Sequence, residues 1–189
     1  MIGAELAAQT KNLATRRQWL TASALAAGGL VLWPNRGSAV EPDEISHSAE
    51  TIHQEPTFTA SPARVYKALM DSQQFDKVIQ ISGVMQSDFM AKMKKPTEIS
   101  SDVGGAFALF GGYIVGRHLE LGPNELIVQA WRVGSWDRGL YSIVRFELTK
   151  LDGGTKIVFD HTAFPKGDAE HLAQGWRAHY WDPMRKLLS

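Results

Sequence analysis

The chain has 189 residues, 44% of them apolar, and basic and acidic residues balance at 20 each. That length fits one domain plus an extra segment, and there is no basic field of the kind a nucleic-acid surface needs. The sequence contains no cysteine, which excludes disulfides, thiol catalysis, cysteine-ligated metal, iron–sulfur clusters and a lipoprotein anchor.

The first 39 positions differ from the rest. They carry Lys11, Arg16, Arg17 and Arg36 against Glu5 alone, so the remaining body is mildly acidic. Thr15-Arg16-Arg17-Gln18-Trp19-Leu20 is a paired-arginine motif followed by a soft apolar run from Leu20 to Trp33. Pro34 ends the run, and Gly37-Ser38-Ala39 offers small residues for cleavage. The run is shorter than the ~20 residues a membrane-spanning helix needs. This pattern resembles a twin-arginine (Tat) export signal, the bacterial route for proteins folded before export. It implies a signal over 1–39 that engages the Tat machinery through Arg16 and Arg17, a polar linker over 40–49, and an exported, periplasmic domain over 50–189. An uncleaved, membrane-anchoring N-terminus is the alternative.

Thr51 to Thr59 reads as a weak first or edge strand, with Ile52 and Phe58 among polar residues. Ser61 and Pro62 suit the cap and first position of a helix. Val65, Tyr66, Leu69 and Met70 share its face. Asp71-Ser72 interrupts this helix and starts a second short one, with Phe75, Val78 and Ile79 aligned. In Ile81 to Lys95, Met85, Phe89 and Met93 recur at a spacing of four. The expectation is a satellite helix capping the core, or a lid over a pocket, since flexible methionines suit adaptable apolar contacts.

From Thr97 the period becomes two, the signature of half-buried strands. Strands are expected over Thr97–Ser101, Ala106–Phe110, Tyr113–Leu121, Leu126–Val133, Tyr141–Leu151 and Thr155–His161. Gly104-Gly105, Gly111-Gly112, Gly122-Pro123-Asn124 and Asp152-Gly153-Gly154 mark the turns, and Trp136 sits on a loop over Gly134–Gly139. Asp168 is expected to cap a long amphipathic helix whose stripe holds Leu172, Trp176, Tyr180 and Leu187, widened by Trp181, Met184 and Leu188. Pro183 should kink it or restart it with Asp182 as a local cap. The order, β-α-α, then antiparallel strands, then a long helix, makes this an α+β domain with helices on one sheet face.

Gly104-Gly105-Ala106-Phe107, Gly111-Gly112, Gly116, Pro123, Ile127-Val128 and Trp131-Arg132 together resemble the START-like (Bet v-like, SRPBCC) superfamily. Within it the likeness is to the C-terminal-domain family of the activator of the ninety-kilodalton heat-shock ATPase. It continues through Trp136, Ser142, Val144, Phe146, Leu148, Gly154-Thr155, His161 and Gly175-Trp176, and covers roughly Thr51 to Leu188. The resemblance implies a helix-grip fold, in which a curved antiparallel sheet grips the C-terminal helix. The stretch Gly83–Lys95 looks like an insertion, and the export signal is foreign to a cytosolic co-chaperone. No phosphate loop is present, because neither glycine pair is followed by Lys-Ser/Thr.

A cavity between sheet and helix would be lined by Phe107, Leu109, Trp131, Phe146, Phe159 and His161 from the strands. Trp176, His179 and Tyr180 would line it from the helix. Such a list is mostly apolar with a few polar groups, the balance of a ligand pocket, and it packs a solid core equally well. Arg132 and Trp136 suggest a mouth at which a cation takes a ligand carboxylate. His161 could serve as an acid–base group or simply satisfy a neighbouring group. The six histidines lack metal-ligand spacing, no serine-nucleophile motif occurs, and no cofactor is expected. The reading is therefore an exported START-like domain that binds a small hydrophobic or amphiphilic ligand without catalysis. The alternatives are a cyclase-like enzyme using His161 or one of Tyr113, Tyr141 and Tyr180, and a chaperone-activator-like interaction module.

Overall fold

The structure is a computed structural model and describes residues 49–189, so the expected signal and nearly all of the linker lie outside the described residues. Strand β1 (Ala49–Gln54) leads to the two-residue β2 (Thr57–Phe58). The expected single first strand is broken at Pro56, which has no N–H to donate to a ladder. Its carbonyl still accepts from Ile157 N–H at 2.9 Å. Helices α1 (Pro62–Met70) and α2 (Ser72–Ser82) follow. The Ser61 side chain caps the first, and the Asp71 carboxylate caps the second by accepting from Gln74 N–H at 2.9 Å.

The Met-rich stretch does not form the expected helix. It makes two isolated 3-10 turns, Val84–Gln86 and Met90–Lys92. Gly83 takes a left-handed conformation (φ 68°) that ends α2. Ser87 then bonds to its own neighbourhood, donating to Val84 O at 3.0 Å and accepting from Met90 N–H at 3.3 Å. Such local side-chain bonds compete with a helical ladder.

The sheet comprises β3 (Glu98–Ile99), β4 (Ala106–Leu109), β5 (Ile114–Gly122), β6 (Leu126–Val133), β7 (Ser142–Leu151) and β8 (Gly154–Pro165), with β1 and β2. Its order is β1-β8-β7-β6-β5-β4-β3, with β2 paired to β8, and the pairings are antiparallel. Alternation buries Ile127, Gln129 and Trp131 of β6, Ser142, Val144 and Phe146 of β7, and Ile157, Phe159 and His161 of β8. Strand β8 outruns its expected end at His161. Ala163 (φ 62°) forms a bulge opposite Glu50 and Thr51, and the extra residue returns Phe164 to the inner face.

The curved sheet closes on the C-terminal helix, the helix-grip arrangement. That helix is not one regular rod: α3 (Ala169–Trp176) passes into a π segment (Arg177–Trp181) and then α4 (Asp182–Leu188). The wider turn is closed by Asp182 N–H donating to Arg177 O, a bond across five residues, and it ends where Pro183 has no N–H to give. Neither expected cap forms. Asp168 makes no side-chain cap bond; instead the Glu50 carboxylate from β1 accepts from Ala169 N–H at 3.2 Å. Asp182 pairs with Arg185 at 2.7 Å. Gln54 of β1 ties the helix down, donating to Ala173 O and accepting from the Trp181 indole.

Candidate functional site

The centre of the grip is solid. Phe146, Phe159, Trp176 and Trp181 interlock there, with Phe159 and Trp176 rings 4.5 Å apart and Trp176 stacked on Trp181 at 5.7 Å. The π segment makes this stack possible. Residues five apart lie about 140° apart around an α-helix, whereas a turn closed by an i to i+5 bond brings them nearly over one another.

His161 is sealed inside this cluster. The Trp176 indole N–H donates to its Nδ1 at 3.0 Å, which fixes the proton on Nε2. That Nε2–H reaches Ser142 Oγ at 2.7 Å, and the Ser142 hydroxyl donates to Trp131 O at 2.9 Å. Burial pushes the imidazole down to about 3, so it stays neutral at ordinary pH. Both ring nitrogens are occupied and the residue is fully buried, so the group satisfies its neighbours.

The free volume lies instead at one end of the grip, where a pocket of about 510 Å³ opens. Ile114, Trp131 and Val133 of the sheet, with Tyr113 just before β5, form one wall, and Trp136 on the loop after β6 extends it. Asp168, His171, Leu172, Gly175, Trp176, His179 and Tyr180 form the helix side. Phe110 and the turn residues Val84, Phe89 and Met90 also line it. Phe89 is half exposed and meets the Tyr113 ring edge-on at 5.4 Å.

Five expected residues therefore meet at this pocket: Trp131, Trp136, Trp176, His179 and Tyr180. Phe107, Leu109, Phe146, Phe159 and His161 lie buried in the core and outside its lining. Arg132 is not at the mouth. Its guanidinium donates to Trp136 O at 2.6 Å and stacks over the Tyr141 ring, which fixes the loop carrying Trp136. Asp168, read as a cap, accepts from the Trp136 indole N–H at 2.7 Å and so orients that ring on the pocket wall. Phe110, Tyr113, His171 and Gly175 had no separate signal as lining residues, although Phe110 stands immediately before a glycine pair.

The wall holds unresolved polarity and strain. Trp131 Nε1, His179 Nδ1 and the Tyr180 hydroxyl are buried without a hydrogen-bond partner among the described residues. Burial raises the Tyr180 phenol well above its usual range, partly offset by the nearby Trp131 indole, although the two are not aligned as a hydrogen bond. Burial, with the proximity of His171, holds the His179 imidazole below its usual value. Phe110 has φ 51°, an uncommon conformation for a bulky residue, and its ring packs on Phe75, His179 and Tyr180. Strained backbone and π turns both concentrate at functional sites. Among the described residues no group of His, Asp and Glu is placed to hold a metal ion.

The family model for activator of Hsp90 ATPase homolog 1-like protein matches residues 59–189. The chain belongs to that family. The human activator of 90 kDa heat shock protein ATPase homolog 1 is 24% identical over 132 residues, which are 70% of this chain and 35% of the human protein. This chain thus spans about a third of the length of that relative. An HSP90 activator from Plasmodium falciparum superposes with a TM-score of 0.61 at 22% identity, covering 73% of this chain and 95% of that one. A protein of Chromobacterium violaceum superposes with a TM-score of 0.53 at 25% identity over 73% of this chain and 96% of the other. These similarities establish the helix-grip fold of an activator-like START domain. Several residues that carried the family resemblance have structural reasons here. A Cβ on Gly116 would collide with Ala130 O and the Phe107 ring, while Ser142, His161 and Trp176 form the buried hydrogen-bonded chain.

Proposed function

We propose that this domain holds a small apolar or amphiphilic molecule in the pocket between Trp131, Trp136 and the π segment. The observation that carries the reading is the volume: about 510 Å³ falls within the ~300–1,000 Å³ of small-molecule sites, which share this mix of an apolar wall and a few polar groups. Gly175 supplies the test. It lies within α3 on the pocket lining, and a Cβ placed there meets nothing within 4 Å among the described residues beyond its own helix backbone. Gly175→Phe would project a ring into the void while improving helix propensity by roughly 0.5 kcal/mol. The wild-type domain should bind a small aromatic probe, with a change in tryptophan fluorescence, and Gly175→Phe should lose that binding with its fold intact. Equal binding by both proteins would place the probe elsewhere and remove the reading.

A protein-interaction reading draws on the names of the relatives and on exposed Leu140, Tyr141 and Ile143, adjacent on and before β7. It differs in its response to the same variant, since a partner held on the outer surface would survive the filling of the pocket. Export is a separate proposal resting on the paired arginines. Replacing Arg16 and Arg17 by Lys should retain the protein in the cytoplasm of a Tat-competent bacterium; unchanged export in a fractionation assay would remove the Tat assignment.

A further inference from the structure

The pocket's electrostatics point to one class of occupant. Among the described residues its lining contains one carboxylate, Asp168, and neither lysine nor arginine. Asp168 is half-buried at the N-terminal end of α3. One of its oxygens accepts from the Trp136 indole, and the other makes no hydrogen bond among the described residues. The Glu50 carboxylate stands beside it on Ala169 N–H. Arg132, the cation expected to receive an acidic ligand, is committed to the Trp136 carbonyl and the Tyr141 face. The remaining ionisable side chains of the lining are His171, His179, Tyr113 and Tyr180.

The same lining is rich in aromatic rings that pack on one another. Trp131 and Trp136 meet edge-to-face at 5.7 Å, and Trp131 and Trp176 are tilted at 5.5 Å. Aromatic faces attract cations through the ring quadrupole, and grouped rings are a recurrent device for holding quaternary ammonium groups. An anion in the pocket would find the Trp131 indole and the Tyr180 hydroxyl as donors, but would face the Asp168 carboxylate with neither lysine nor arginine among the described lining residues to offset it.

We propose that the pocket selects an organic cation, an ammonium-bearing aromatic or short amphiphile, with its charge at Asp168 and its apolar part against Trp131, Trp136 and Trp176. This rests on the pocket being a ligand site at all, and the test separates the two statements. The full chain would be titrated with benzyltrimethylammonium, benzyl alcohol and phenylacetate, following tryptophan fluorescence. The cation should bind about tenfold or more tighter than the anion, and its affinity should fall with added salt. Asp168→Asn keeps an acceptor for the Trp136 indole while removing the charge. It should weaken the cation about five- to tenfold and leave benzyl alcohol within about twofold. A thermal melt of the variant confirms that the domain is folded, and the salt dependence of the wild type supplies a measurement that needs no variant. Equal affinities for the three probes, or an Asp168→Asn protein that binds the cation undiminished, would overturn the cation preference while leaving the pocket reading intact. Failure of all three probes to bind would overturn both.

Discussion

At the scale of single residues, His161 shows how a group with catalytic credentials serves the core instead. Its tautomer is fixed by the Trp176 indole, and its other nitrogen is spent on Ser142. Spacing alone could place this histidine on the inner face, which was legible. It could not reveal that an indole from the helix and a hydroxyl from the neighbouring strand converge on it. The imidazole is held near 3 in the folded protein against an ordinary 6.5. Between those values the unfolded chain takes up a proton that the folded chain refuses. The stability from this group is therefore full above about pH 6.5 and is lost as pH falls towards 3, by up to about 1.4 kcal/mol per unit. His118 and His179 are lowered as well and act in the same direction. Denaturant unfolding between pH 7 and pH 5 should show falling stability. His161→Gln should cost about 1–3 kcal/mol at pH 7, because it breaks a buried hydrogen-bonded chain, and should flatten the acid slope. An unchanged slope would mean that the imidazole is not a buried neutral group.

At the scale of elements, the C-terminal helix separates what a stripe of apolar residues can and cannot convey. Its existence, its apolar face and its disturbance near Pro183 follow from the pattern. The π segment does not: the pattern puts Trp176 and Tyr180 on one stripe and widens it to Trp181, but it does not say that a turn of the helix must open to bury all three. The structure buries all three by widening one turn. The Met-rich stretch failed for the opposite reason: its spacing of four is helical, but Gly83 and Ser87 stop a ladder from propagating. The π turn invites a direct test. Inserting a second alanine beside the exposed Ala178 would rotate everything after it by about 100° relative to α3. Trp176 and Trp181 would no longer both reach the core. A loss of about 3–5 kcal/mol is expected, comparable to removing a large buried aromatic side chain, with most far-UV helical signal retained. An insertion protein as stable as the parent would show that the spacing across the widened turn does not seat the two rings.

For the whole molecule, the helix-grip fold was legible because period-two runs separated by glycine turns, followed by one aromatic helix, leave few other ways to bury the apolar faces. Whether the grip was hollow or filled was not legible, since Phe146, Phe159 and Trp176 suit either outcome. The answer is divided in space: the middle is packed, and the void sits at the end framed by Phe110, Trp136 and the π segment. Because Trp131, Trp176 and Tyr180 belong to both the core and the pocket wall, occupancy and global stability should be coupled. A molecule that binds only the folded state adds RT ln(1 + [L]/Kd), about 2.7 kcal/mol at a hundredfold excess over Kd. For a domain of this size that raises Tm by several degrees, roughly 5–10 °C. Differential scanning calorimetry with benzyltrimethylammonium should show such a rise, growing with the logarithm of concentration. Gly175→Phe should melt at or above the unliganded wild type and show no further rise with the probe. A shift of equal size in both proteins would mean that the probe stabilises through the general surface, and the coupling between pocket and core would have to be abandoned.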